Sequence, residues 1–206
     1  MSLRLHIHPD NPQHRLIAQA AEVLARSGVI AYPTDSTYAL GCALGDKASL
    51  ERIRQIRQTE LDHDFTLVCR DLAEIATYAR VDNAAYRLLK SLTPGPYTFI
   101  LRATGEVPKR LLNPKRKSIG IRVPNNAIAQ ALLDEFGQPL MSSTLMLPGA
   151  DLPMSDPDNI EETVGRRIDC LVDGGATGIE PTTILDLSQG DIDVVRRGKG
   201  PVQAFD

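Results

Sequence analysis

Leu16, Ile17, Ala20, Val23 and Leu24 fall on one face of a 3.6-residue helix, and Gly28 stops it. The apolar run Val29-Ile30-Ala31-Tyr32 then predicts a strand that ends at Pro33. Leu50, Ile53 and Ile56 share the face of a second helix, which Asp46 can cap. Residues 65–69 read as a buried strand. Two helical stretches follow near 71–78 and 82–92, the second carrying Leu88, Leu89 and Leu92. Residues 97–101 are strand-like after the turn Pro94-Gly95-Pro96. A strand over 118–123, a helix over 126–136 closed by Gly137, and a short strand over 140–143 come next. Ser155 or Asp156 caps a further helix, with Pro157 in its first turn and acids early, where the helix dipole favours them. Strands at 169–172, 182–187 and 192–197 close the series.

Helices alternate with strands for most of the length, and strands cluster at the end. That order predicts an α/β fold built on a twisted, open mixed sheet flanked by helices. No repeat, linker or low-complexity tract divides the chain, so residues 1–206 read as a single domain. The stretch 147–158, with Pro148, Gly149, Pro153 and Pro157, is the expected mobile loop.

Composition narrows the class. The chain is 42% apolar and 24% charged, the profile of a folded globular protein. No apolar run approaches the roughly 20 residues that cross a bilayer, and residues 1–6 lack a secretory-type apolar stretch. Cys42, Cys69 and Cys170 are odd in number and widely spaced, which fits reduced, structural thiols in a cytoplasmic protein. The net charge of −3 gives no overall pull toward nucleic acid. Its distribution does: residues 108–122 hold Lys109, Arg110, Lys115, Arg116, Lys117 and Arg122 without an acid, a local positive field suited to phosphates.

Five segments place polar residues just beyond apolar strands, where ligands of α/β sheets bind. The first, Tyr32 to Cys42, is read as a hydroxyl-rich strand-to-loop exit. Arg57 at a helix end, with His63 in the loop beyond, is the second. Arg122, flanked by strand apolars, must find an anion or an acceptor on the opposite face. Ser142-Ser143-Thr144 and Pro181-Thr182-Thr183, the latter with Arg196 behind it, complete the set. There is no phosphate-cradling glycine loop, dinucleotide fingerprint or zinc-ligand spacing, and no metal site is expected. Composition and spacing lead to an α/β domain with an anion-binding cleft.

In order along the chain, Tyr32-Pro33-Thr34-Asp35-Ser36-Thr37-Tyr38-Ala39-Leu40-Gly41-Cys42, Thr93-Pro94-Gly95-Pro96-Tyr97-Thr98, residues 115–124 and Pro181-Thr182-Thr183-Ile184-Leu185-Asp186-Leu187 resemble the YrdC/YciO family. Residues 65–72 and 141–149 look most like its YciO branch. The resemblance implies the YrdC-like α/β fold, similar to that of DHBP synthase (RibB), with a concave basic surface and without the extra C-terminal domain of longer members. It also implies binding of double-stranded RNA or tRNA through Lys109, Arg110, Lys115, Arg116 and Lys117. Enzymatic members make threonylcarbamoyl-AMP from threonine, bicarbonate and ATP, with Mg²⁺, for a tRNA modification.

Carried over by motif, Thr34, Tyr38, His63, Arg122 and Thr182 would line the threonine pocket, with Thr98 at its floor. Ser118, Ser142, Thr144 and Arg196 would face the nucleotide, with Arg57 and Thr144 at the catalytic positions. Arginine can grip a carboxylate or phosphate through two parallel bonds, and the catalysis asked of such a cleft is mainly positioning. Two motifs depart from the synthase pattern. Its Lys-x-Arg-Pro aligns with Arg57-Gln58-Thr59-Glu60, which loses the second cation and gains an acid. Its Ser-x-Asn aligns with Thr144-Leu145-Met146, and a thioether replaces neither hydrogen bond of an amide. Binding of RNA and a nucleotide is therefore the expected retained function, with threonylcarbamoyl-AMP synthesis the alternative.

Overall fold

The computed structural model describes residues 2–58, 65–113 and 115–202. Strand β1 (Leu3–His6) leads into helix α1 (His14–Ala25), which buries Ile17, Ala20, Ala21 and Leu24 as the apolar spacing predicts. Strand β2 (Ile30–Pro33) is buried throughout, and β3 (Tyr38–Ala43) returns antiparallel to it. Asp46 caps α2 (Lys47–Arg57) by accepting the N–H groups of Ala48 and Ser49. Then come β4 (Thr66–Val68), α3 (Leu72–Tyr78), α4 (Asn83–Leu92), β5 (Tyr97–Arg102), β6 (Ser118–Arg122), α5 (Ala127–Phe136) and β7 (Leu140–Thr144). Helix α6 (Pro157–Val164) and strands β8 (Cys170–Asp173), β9 (Thr183–Asp186) and β10 (Asp193–Arg196) complete the order. Asp71, Asp82, Asn126 and Asp156 cap their helices through side-chain oxygens.

Among the described residues the strands form one mixed sheet in the order β1-β8-β2-β3-β7-β4-β6-β5-β9-β10. Strand β3 differs from the sequence expectation, which takes 32–42 as a strand-to-loop exit. Its Ala39, Gly41 and Ala43 give no strong local strand signal, and hydrogen bonding to β2 on one side and β7 on the other supplies the order. Strand β1, also unforeseen, is held by parallel pairing with β8.

Alternation along the strands sorts residues onto two faces. Leu40, Leu67, Phe99, Ile121, Met141 and Leu185 pack on one face with Ile53, Ile75, Leu89 and Ile160 from the helices. Ile30, Tyr32, Cys170 and Val172 pack on the other with Leu24 of α1 and Leu132 of α5. Those two helices contact β1, β2, β3 and β8. On the strands beyond them the same face presents Thr66, Thr98, Gly120, Arg122, Ser142 and Thr182, so the polar positions fall where no helix lies. Cys42, Cys69 and Cys170 are buried free thiols, and burial pushes Cys42 and Cys170 up to about 12.

Curvature turns this open half into a cleft. Strand β6 lies four positions from β2 in the sheet, about 19 Å away if the sheet were flat. Yet Arg122 on β6 hydrogen-bonds Asp35 in the loop that follows β2. The sheet must curl for the two to meet, as accumulated strand twist allows. Residues 174–182 span the hollow from β8 to β9, the second and ninth strands in the order, about 33 Å apart in a flat sheet. That is close to the full reach of a chain of this length. This strap starts where Asp173 accepts the Gly175 N–H at 2.9 Å, with Gly175 at φ +83°, and it donates the Thr177 N–H to Ser155 O at 3.0 Å. No helix among the described residues is long and apolar enough to cross a membrane.

Candidate functional site

The cleft is a cavity of about 630 Å³ on the polar half of the concave face. That volume lies within the range of small-ligand sites. Thr66 and Thr98 line its floor on either side of Gly120, where a Cβ would sit 3.4 Å from Thr98 Cγ2 and 3.5 Å from Thr66 Oγ1. Thr98 Oγ1 and Thr182 Oγ1 share a hydrogen bond of 2.9 Å across β5 and β9. On the opposite wall Tyr32 Oη meets Ser142 Oγ at 2.8 Å, and burial pushes the tyrosine up to about 12, so it stays a neutral donor. Thr34 Oγ1 donates to Thr37 O at 2.7 Å and accepts the N–H groups of Ser36 and Thr37 at 3.2 Å, which fixes the loop between β2 and β3.

Three arginines reach the wall. Arg122 is 7% exposed, donates Nη1 to Ser36 Oγ at 3.2 Å and donates Nη2 to Asp35 Oδ1. The second oxygen of Asp35 accepts the Asn125 N–H at 3.0 Å, and Lys199 Nζ donates to the Asp35 carbonyl. Arg122 Nε is buried without a hydrogen-bond partner among the described residues. An unmatched N–H on a buried cation costs free energy that a ligand oxygen would recover.

Arg196, open to solvent on its outer side, donates Nε and Nη2 to Thr182 O at 3.1 and 2.8 Å. Burial lowers its pKa first and the charge of Arg122 lowers it further, so each guanidinium lies within the other's field. Arg57 Nε donates to Met146 O at 3.3 Å and Nη1 to Ser143 Oγ, and burial lowers its pKa too. An anion seated among these groups removes the repulsion between them.

Thr34, Arg57, Thr98, Arg122, Ser142, Thr144, Thr182 and Arg196 therefore line one cavity. Tyr38 does not. Strand β3 alternates, and Tyr38 points with Leu40 and Cys42 to the opposite face, where its hydroxyl donates to Gly175 O at 2.8 Å and accepts the Gly174 N–H at 3.2 Å. It holds the strap, and Tyr32 rather than Tyr38 lines the cavity. Ser118 corrects likewise: it sits two residues before Gly120 on β6, paired with Arg102, and is 4% exposed outside the cavity lining. His63 lies outside the described residues, as do Thr59 and Glu60.

Of the basic run, Lys109 lies in a short 3₁₀ turn, Lys109–Leu111, that also contains Arg110, and the Arg110 side chain is not among those described. Lys109, Lys115, Arg116 and Lys117 are exposed, but Arg116 Nη1 is held at 2.7 Å by Asp186. Periodicity had no means of marking Asp151, Leu152, Pro153 and Ile179, which join the wall from irregular loops.

Gly198 ties the Arg196 side of the cavity together. A Cβ there would stand 2.3 Å from Pro181 O and 2.7 Å from the Thr182 carbonyl carbon, both backbone atoms that cannot yield. We expect Gly198→Ala to cost about 1–3 kcal/mol in a urea melt. It should also weaken anion affinity, because the displaced Thr182 carbonyl is the one that seats Arg196.

A helix-backed, curled mixed sheet with an arginine-lined polar hollow defines the class: an α/β protein with a polar cleft in its concave face. The chain belongs to the Sua5/YciO/YrdC family, whose model (Sua5_yciO_yrdC, telomere recombination) matches residues 22–198. It is 55% identical over 205 residues to YciO of Escherichia coli K12, and the match covers 100% of both chains. An uncharacterized Haemophilus influenzae protein is 52% identical over 206 residues, again across 100% of both. The crystal structure of E. coli YciO superposes with a TM-score of 0.96 at 54% identity, covering 100% of each chain. P. abyssi Sua5 complexed with L-threonine shares the fold, with a TM-score of 0.91 at 22% identity over 98% of this chain and 59% of that one.

Proposed function

We propose that this chain binds a nucleotide in the arginine cavity and double-stranded RNA or tRNA along the basic rim at 109–117. The observation that carries the cavity reading is the convergence of Arg122 and Arg196, with the buried Nε of Arg122 lacking a partner. Arg122 is already paired with Asp35, but its unmatched Nε, within the field of Arg196, offers a seat for a ligand oxygen. The L-threonine in the P. abyssi Sua5 complex supports an amino-acid carboxylate as a second ligand for the same arginine.

Synthesis of threonylcarbamoyl-AMP is the alternative, favoured by the retained Thr34, Thr98, Arg122 and Thr182 on one wall. In that reading Arg122 holds the threonine carboxylate and the hydroxyls orient the carbamate, while Arg196 faces the phosphates. Asp151 is the carboxylate on the wall among the described residues, so Mg²⁺ would arrive on substrate phosphates with Asp151 as a protein ligand, and would neutralise phosphate charge. Met146 contributes no amide there.

Calorimetric titration of the purified protein with ATP, threonine and tRNA separately tests both readings. Saturable nucleotide and tRNA binding without pyrophosphate release supports the binding role, whereas ATP- and threonine-dependent pyrophosphate release establishes the synthase. RNA affinity should fall steeply with salt, and Lys115→Gln and Lys117→Gln should each flatten the slope by about one unit. Arg116→Gln should flatten it less, because Asp186 already holds that charge. Salt-independent or absent RNA binding would end the rim reading.

A further inference from the structure

We infer that the cavity is selective for a mononucleotide, a single phosphate joined to an uncharged base, over a nucleoside triphosphate. This rests on the nucleotide reading above and goes further by setting the charge and shape of the ligand. Two independent features of the wall carry it.

The first is charge. Among the described residues the wall holds Arg57, Arg122, Arg196 and Asp151, and the Arg122–Asp35 pair carries Lys199 on the Asp35 carbonyl. Four cations against two carboxylates leave a net charge of +2. A phosphate monoester carries about −1.5 to −2 at neutral pH, which that field balances. Without a divalent cation, a triphosphate brings roughly two further negative charges that these groups leave unmatched, and unmatched charge in a partly desolvated site is costly.

The second is an apolar lip. Leu152 and Ile179 are 56% and 45% exposed, unusually open for large apolar residues, and both line this cavity. They come from separate loops that the Thr177 N–H to Ser155 O bond links. Met146 and Pro153 continue it inward. A phosphate chain gains nothing from such a surface, whereas the face of a base covers it and removes it from water. The anion seat on one side and the lip on the other match the two ends of one nucleotide.

The test uses the full chain with AMP, ADP, ATP and inorganic phosphate as calorimetric probes at fixed ionic strength. AMP should bind about tenfold more tightly than ATP, and more tightly than phosphate. Leu152→Ser and Ile179→Ser should each weaken AMP by about three- to tenfold and leave phosphate unchanged. Both residues are exposed, and an unchanged melting temperature shows that the fold is intact. Equal or tighter binding of ATP overturns the inference while leaving the nucleotide reading standing. So does a lip variant that weakens AMP and phosphate alike. Failure of all four probes to bind overturns the nucleotide reading and the inference with it.

Discussion

Replacing Arg122 with Gln should destabilise the fold by about 3–5 kcal/mol and abolish ligand binding in the cleft. The two losses have different origins. Both side chains of the Arg122–Asp35 pair are 9% exposed, so neither is compensated by water when its partner goes. Gln cannot neutralise Asp35, which keeps only the Asn125 N–H as an acceptor contact. In a protein of this size that deficit should lower the melting temperature by about 6–20 °C. The bond also spans the concave face, from β6 to the loop after β2, so its loss releases the curl that makes the cavity.

The double variant Asp35→Asn with Arg122→Gln separates the two effects. Removing both charges should restore most of the stability, since a buried pair is worth little against a neutral pair of similar shape. It should restore no ligand affinity, because the seat for the anion is gone. Urea melts of the two single variants and the double give the coupling directly. If Arg122→Gln alone stays within 1 kcal/mol of the parent and still binds ligand, the arginine is neither the keystone of the curl nor the seat.

Much of this architecture is legible in the sequence where local chemistry decides it. Asp46 and Asp156 cap the helices they introduce, and Gly137 adopts the left-handed conformation that ends α5, because capping needs only neighbours three residues away. What the sequence hides is what distant strands impose. Strand β3 is ordered by β2 and β7, and with it the alternation that hides Tyr38 and leaves Tyr32 on the cavity wall. Ser118 belongs to the right face of the right strand but lies beyond the hollow, a distinction set by curvature rather than by pattern. Leu152 and Ile179 sit in loops with no periodicity, and only the folded strap brings them to the same edge.

The strap itself offers the second large effect, because its anchor is ionisable. Asp173 accepts Arg4 Nε at 3.0 Å and Nη2 at 2.7 Å, lies 2.9 Å from His6 Nδ1, and holds the Gly175 N–H at 2.9 Å through its other oxygen. Burial alone would raise this carboxyl, but the Gly175 N–H and the Arg4 guanidinium outweigh it and hold the group below the ordinary carboxylate range. A carboxyl whose folded pKa lies below its unfolded value of about 4 stabilises the fold fully above that pH. The stabilisation is lost as pH falls through the folded value, so acid melts should steepen below about pH 4.

Asp173→Ala should cost about 2–4 kcal/mol at neutral pH, and the gap from the parent should close as the pH drops, since the parent loses the same interaction by protonation. The variant also frees the first turn of the strap, so affinity for a cleft ligand should fall several-fold along with stability, because Ile179, Pro181 and Thr182 are strap residues on the wall. Asp173→Asn divides these roles. Its amide oxygen can still accept the Gly175 N–H, so ligand affinity should be retained, while the ion pair with Arg4 is lost and the pH dependence flattens. A parent and an Asp173→Asn variant with the same acid profile would mean that Arg4 is satisfied by Asp158 and Glu161 alone, and that the strap is held by its backbone rather than by charge.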